Sequence, residues 1–333
     1  MRGFDCGTYN LVSCKRDKES NFVYKREINA FLELPLENKF VFNMMKQAGV
    51  PLIEREKVAY ALGEAAVDMA YTMSSLDLKR PMTSGCVNPR EKDAFQIMSI
   101  MMHSLIGEVE EDKELLYYSI PSNAINEETD IEYHNKILEA IFKSYKSSKG
   151  YTVDPRPINE ALALIYSELS NKGYTGIGVS FGAGMVNICY AMFGNPIFNF
   201  SIVNSGDWID KMAAKALGES PTYINKEKMK TDFTESPKTL VERAIQTQYK
   251  IMVDHTISCI KKGLSDIQKN VRTNDAVDIV ISGGVTSPNG FKELFEDSVR
   301  NSDLQIKVGS VIKPEEPLFS VAKGCLLAAE ASV

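Results

Sequence analysis

The chain has 333 residues, 44% of them hydrophobic and 25% charged, an ordinary folded composition with apolar material for two domains rather than one. Its formal net charge of −6 argues against a nucleic-acid coat or a polybasic membrane anchor, and no apolar run approaches the roughly 20 residues that span a bilayer. Six cysteines are scattered without a C-x-x-C pair and three histidines lack metal-site spacing, so the expectation is reduced thiols in a cytoplasmic protein.

Residues 2–13 read as a β-hairpin turning at Gly7. Because it starts almost at Met1, neither a signal peptide nor an N-terminal amphipathic anchor helix is expected. Val58, Leu62, Ala65, Ala66 and Met69 recur at helical spacing and predict a helix over 54–73. Residues 80–86 form a turn segment, and a helix over 90–107 ends at Gly107. A strand over 115–120 is stopped by Pro121, and a helix covers 130–146. Gly150, Pro155 and Pro157 make a break over 150–157, the predicted domain boundary. Beyond it Ile158, Leu162, Ile165, Tyr166 and Leu169 place one apolar stripe on a helix that follows directly on Pro157. The second half repeats the logic: strand 176–180, a glycine hairpin, strand 185–192 and a helix near 208–217. A largely helical stretch over 238–270, a strand over 277–282, a helix from about Gly290 and an alanine-rich helix from about Val321 complete it. No tandem repeat is visible.

Three segments carry chemistry: Phe4-Asp5-Cys6-Gly7-Thr8, Gly178-Val179-Ser180-Phe181-Gly182-Ala183-Gly184 and Ile279-Val280-Ile281-Ser282-Gly283-Gly284. Each is an apolar strand that stops at a small or acidic residue and turns through glycine. Glycine lets the backbone turn sharply and approach a ligand, and successive N–H groups in such turns form an anion-binding concavity. Spread over both halves, the three predict two phosphate hairpins and a nucleoside pocket across an interdomain cleft. A carboxylate at Asp5 suits Mg²⁺, held largely through water.

This order of motifs resembles the actin-like ATPase superfamily of actins, seventy-kilodalton heat-shock chaperones and sugar kinases. Within it the chain is most similar to prokaryotic actins of the MreB and ParM type, over nearly its whole length. Arg80-Pro81-Met82-x-x-Gly85 and Pro317-Leu318-x-x-Val321-Ala322-x-Gly324 look like MreB segments and separate this branch from sugar kinases. The resemblance implies an α/β actin-like fold of two related domains, each a mixed sheet flanked by helices. Domain I is expected over 1–153, with the C-terminal helix 318–333 packing back on it. Domain II is expected over 154–317, with the small subdomain around 221–240 strongly reduced.

The resemblance also implies Mg-ATP in the cleft. Asp5 holds the metal and serves catalysis, and Gly7, Thr8, Tyr9 and Asn10 cradle the β- and γ-phosphates. Ser180, Gly182, Ala183 and Gly184 form the second hairpin. Gly206 and Asp207 lie by the nucleotide, Glu227 takes ribose hydroxyls, Lys230 lies by the adenine, and Gly283, Gly284 and Val285 back the nucleoside. There are departures. The family usually has aspartate at Ser180 and threonine at Met185. It places the water-orienting glutamate or glutamine at the start of the interdomain helix, before a proline, and the residue before Pro157 is Arg156. Glu160, one turn on, is the expected catalytic carboxylate, with Asn159 and Asp154 as other candidates. The implied function is a cytoplasmic actin-like cytoskeletal protein that polymerises with itself into nucleotide-dependent filaments and hydrolyses ATP slowly. No nucleic-acid partner or intrinsic membrane anchor is expected, and any adaptor is unknown. The alternatives are a small-molecule kinase of the same superfamily and an ATP-binding scaffold with little hydrolysis.

Overall fold

The computed structural model describes residues 1–35, 39–47, 52–55, 58–72, 76–267 and 275–333. Its frame is two five-stranded sheets of identical topology. In the first, the antiparallel run Phe22–Ile28, Asn10–Arg16, Arg2–Cys6 is extended by Glu114–Ile120 and then Val153–Asn159, both parallel to Arg2–Cys6. In the second, Asn195–Ile202, Val186–Met192 and Gly176–Phe181 form the antiparallel run, extended in parallel by Val277–Ser282 and Val308–Ile312. The two halves are therefore related, although no repeat is legible in the residues: topology repeats while the core is refilled with different apolar side chains.

Each sheet is sandwiched between helices. On the first, Phe4, Leu116 and Tyr118 pack against Met98 and Met101 of Ala94–Ile106 and Ile141 and Phe142 of Ile131–Ser144. Its other face meets the C-terminal helix Ser320–Ala331 through Val12, Cys14, Ala322 and Leu326. The second sheet packs on the long helix Leu240–Ile267, on Gly206–Leu217 and on Phe291–Asn301. Its opposite face meets the linking helix Glu160–Glu168 through Ala161, Leu164 and Ile165. The linking and C-terminal helices then pack on each other, with Ile158 and Ala163 against Val321 and Cys325. Two glycines make this close stacking possible. A Cβ on Gly3 would lie 2.0 Å from the Ala322 carbonyl oxygen, and one on Gly178 would lie 2.5 Å from that of Ala161. Gly3 stands two residues before Asp5 as Gly178 stands two before Ser180, so the same device recurs in both sheets.

Three expectations need correction. The predicted helix over 54–73 is a helix only from Gly63, over Gly63–Thr72. Residues Leu52–Arg55 and Val58–Leu62 are antiparallel strands of a three-stranded sheet with Phe31–Pro35, and 56, 57 and 73 lie outside the described residues. Val58, Ala59, Tyr60 and Ala61 satisfy a strand as well as a helix, and pairing with Phe31–Pro35 decides for the strand. The predicted break over 150–157 is in large part a strand, Val153–Asn159, with Pro155 opposite Leu116 and Pro157 opposite Tyr118. It is the edge strand, where a proline's missing N–H costs no ladder bond. The following helix starts at Glu160 rather than directly after Pro157, capped by Asn159, whose side-chain oxygen accepts from the Leu162 N–H. The stretch 238–270 is helical over Leu240–Ile267, and 268–270 lie outside the described residues. Among the described residues no helix is long and apolar enough to cross a membrane.

Candidate nucleotide cleft

The strand ends that turn through glycine converge. The first hairpin turns between Arg2–Cys6 and Asn10–Arg16, the second between Gly176–Phe181 and Val186–Met192, and they face each other across a cleft of about 380 Å³ between the two sheets. The approach is close: a Cβ on Gly184 would lie 2.3 Å from both the Gly85 nitrogen and Thr8 Oγ1. Gly7, Thr8, Tyr9 and Asn10 line the cleft from one side, and Ser180, Gly182, Ala183 and Gly184 from the other. Gly283, Gly284 and Val285 line it where Val277–Ser282 ends. Gly283 has φ +97, a conformation that a side chain would strain, and its N–H donates to the Pro317 carbonyl at 3.1 Å.

Two half-buried carboxyls stand at the cleft floor. Asp5 Oδ1 accepts from Ser119 Oγ at 2.8 Å, and the Cys6 N–H donates to the same hydroxyl at 2.9 Å. Glu160 Oε1 accepts from Ser180 Oγ at 2.7 Å and Oε2 from Asn187 Nδ2 at 2.9 Å. Burial pushes the Asp5 carboxyl up to about 6, with the Ser119 hydrogen bond opposing. Burial and then the charge of Asp5 push Glu160 up to about 8, against the bonds from Ser180 and Asn187. Two like charges in one low-dielectric pocket disfavour joint ionisation. The donor chemistry fits a hard dication: carboxylate and hydroxyl oxygens, with like charges that a cation would relieve. Such an ion would be held by Asp5.

Glu160 is the first residue of the linking helix. It therefore occupies the helix start where the resemblance expects the water-orienting carboxylate, and Arg156 does not. Arg156 lies on the exposed edge strand and pairs with Asp154 at 3.0 Å. Asn159 is spent on the helix cap and on Ser122, whose Oγ accepts from its Nδ2 at 2.7 Å.

Four expected residues lie outside the cleft lining. Gly206 and Asp207 open the helix Gly206–Leu217 and brace the second hairpin from behind, their N–H groups donating to the Gly182 and Ala183 carbonyls at 3.2 and 2.8 Å. The Asp207 carboxylate is taken by Arg80, with both oxygens at 2.9 Å from guanidinium nitrogens. Glu227 and Lys230 form a surface ion pair at 2.6 Å. Neighbouring residues of the helix Pro221–Lys228 and its end face inward instead: Asn225, Lys226, Lys228 and Met229 line the cleft. Lys228 is buried, bonded to Asp210 Oδ1 at 2.7 Å and to the Gly206 carbonyl at 2.9 Å. Asn225 Nδ2 donates to the other Asp210 oxygen at 2.9 Å. Lys226 reaches over the rim to Asp68 at 2.6 Å and lies 5.0 Å from the centre of the Tyr71 ring. Ser119, Asn187 and the Arg80–Asp207 pairing left no sequence signal, because each depends on contacts between distant strands.

The family model described as Volactin matches residues 1–329. The chain belongs to the Volactin family. Among solved structures this family member is similar to one described as "MamK double helical filament", with TM-score 0.70 and 15% identity, over 99% of this chain and 98% of that one. It is similar to MreB 5 of Spiroplasma citri bound to AMPPNP, with TM-score 0.66 and 13% identity, over 99% and 96%. It is also similar to a non-polymerising A278D mutant of MamK bound to AMPPNP, with TM-score 0.56 and 16% identity, over 99% and 98%. No curated protein matches the chain. At these identities the likeness establishes a two-domain α/β actin-like fold of the MreB type.

Proposed function

We propose that this Volactin family member binds Mg-ATP in the interdomain cleft, polymerises with itself in a nucleotide-dependent way and hydrolyses ATP slowly, in the cytoplasm. The observation that carries the reading is the head-on meeting of two glycine hairpins, one from each sheet, over Asp5 and Glu160. The hairpin amides would take the β- and γ-phosphates, with Gly7 to Asn10 on one side and Gly182 to Gly184 on the other. Asp5 would hold Mg²⁺ through water, and the ion would supply the positive charge that the phosphates and the two carboxyls need. Glu160 would orient the attacking water. The nucleoside would lie between Gly283, Gly284 and Val285 and the stretch carrying Asn225 and Lys228, in place of the Glu227 and Lys230 that the family resemblance implies. Similarity to structures described as a MamK filament and as AMPPNP-bound MreB 5 supports polymerisation and nucleotide binding. Head-to-tail contacts that do not close a ring make filaments, and closing the cleft would bias them. All six cysteines are free thiols, in keeping with a reducing compartment.

The uncharged Ser180, where the family usually has aspartate, favours a second reading, an ATP-binding scaffold with little hydrolysis. Negative-stain electron microscopy with Mg-ATP, Mg-ADP and no nucleotide tests the first: filaments with ATP support it, and single particles in all three states sink it. Phosphate release in a single turnover on filaments separates the two readings.

A further inference from the structure

Ser180 and Asn187 sit directly opposite each other on the two strands of the second hairpin, so their side chains share one face of the sheet. Asn187 is in turn opposite Ser201 on the next strand. The result is a row of three buried polar residues across the sheet, with Ser282 buried opposite Ser180 on the parallel strand beside it. Both ends of the row are anchored. At one end Ser180 and Asn187 donate to the two oxygens of Glu160, at 2.7 and 2.9 Å. At the other, Ser201 Oγ donates to Asn187 Oδ1 at 2.5 Å and accepts from the Ser122 N–H at 3.1 Å. The Ser122 N–H also points at Asn187 Oδ1, at 3.4 Å. A backbone donor there fixes which end of the Asn187 amide is oxygen and leaves the N–H₂ for Glu160.

Ser122 belongs to the segment that follows Glu114–Ile120 of the first sheet and docks on the edge of the second. The Ser201 N–H donates to the Asn123 carbonyl at 3.0 Å, and the Ile125 N–H to the Ser201 carbonyl at 2.9 Å. The circuit closes through Asn159, which donates to Ser122 Oγ and caps the helix that begins with Glu160. Buried polar groups are costly unless every partner is present, so a complete circuit between sheet and linking helix holds one arrangement.

We propose that Asn187 and Ser180 are positioning residues for the Glu160 carboxylate, and that the row through Ser201 to Ser122 ties its orientation to the segment crossing between the domains. The proposal rests on the reading of Glu160 as the water-orienting group. In the arrangement seen, each carboxylate oxygen accepts one bond and keeps a further lone pair for a water, so the two donors set the direction in which that lone pair points. A shift of the crossing segment, transmitted through Ser201, would re-aim it. The serine that stands where the family usually has aspartate thus has a use of its own: it donates to Glu160, which a second carboxylate would repel.

The test has two parts. The first is a single-turnover Mg-ATP hydrolysis assay, with nucleotide affinity measured alongside, on wild type, Ser180→Ala and Ser180→Thr. Removing the donor is expected to lower the hydrolysis rate about tenfold or more, with affinity kept within about twofold, and the threonine hydroxyl to recover most of the loss. A Ser180→Ala protein hydrolysing at the wild-type rate overturns the proposal, as does a loss of rate and affinity together that threonine does not rescue. The second part needs no catalysis. The side-chain amide signal of Asn187, identified by its disappearance in Asn187→Ala, is compared by ¹⁵N NMR in wild type and Glu160→Ala. A moved signal supports the bond to Glu160, and an unmoved one overturns it. If the wild type does not hydrolyse ATP and the signal moves, the hydrolysis reading fails while the hydrogen-bonded row stands.

Discussion

Gly184→Ala puts the meeting of the two hairpins to a direct test. The added methyl would stand 2.3 Å from the Gly85 nitrogen and 2.3 Å from Thr8 Oγ1, with the Gly85 Cα at 3.0 Å. Thr8 is buried and Gly85 contributes backbone, so rotating a side chain away does not relieve the contact. Restoring ordinary separation requires the hairpins to part by about 1 Å, and overpacking of this kind costs about 1–3 kcal/mol. For a chain of this size the matching fall in melting temperature is a few degrees. Because the clash lies between the domains, it should also hold the cleft open and weaken Mg-ATP. Gly284→Ala is the matched control. Its Cβ would meet nothing nearer than Leu318 Cδ1 at 3.7 Å and Asn10 Nδ2 at 3.8 Å, so the apo fold tolerates it, and an effect on nucleotide affinity alone would place the nucleoside against it. Thermal melts and fluorescent-nucleotide titrations of both variants read these effects. A Gly184→Ala protein with wild-type melting temperature and affinity would refute the approach of the hairpins.

Asp5→Ala should lose Mg-nucleotide affinity, while Glu160→Ala should keep affinity and slow hydrolysis; wild-type turnover in Glu160→Ala would remove its assigned role. Both carboxyls have folded-state values raised by burial, so the folded chain holds protons that the unfolded chain releases. Stability without nucleotide is therefore fullest below about pH 4 as far as these two groups are concerned, and falls as pH rises through about 6 and then about 8. Melting temperatures across that window should decline, less steeply in Glu160→Gln, and an equal slope in that variant would count against the assignment. Arg80→Ala leaves Asp207, otherwise bidentately paired, without its cation at the interdomain contact; a loss of about 1–3 kcal/mol is expected. Unchanged chemical denaturation of Arg80→Ala would show that the pair contributes nothing across the cleft.

The glycine hairpins at Gly7 and Gly182 and the Gly283-Gly284 turn were legible because each is local: a strand, a small or acidic residue and a glycine turn need no distant partner. The long helix Leu240–Ile267 was legible for the same reason, its apolar stripe running over many turns. Where a short apolar run had two possible partners, tertiary structure decided. Residues Val58–Leu62 became a strand because Phe31–Pro35 lay ready to pair with them. Val153–Asn159 became a strand despite two prolines because the edge of the first sheet needed no donor there. That choice moved the start of the linking helix to Glu160, the carboxylate proposed to orient the water. Charge pairs behaved alike. Glu227 and Lys230, read as ligands, turned outward with the helix, and Asn225 and Lys228 turned in. Local backbone chemistry was written in the residues; which side chain met which across the cleft was set by packing two sheets through two crossing helices, and that is a property of the whole chain.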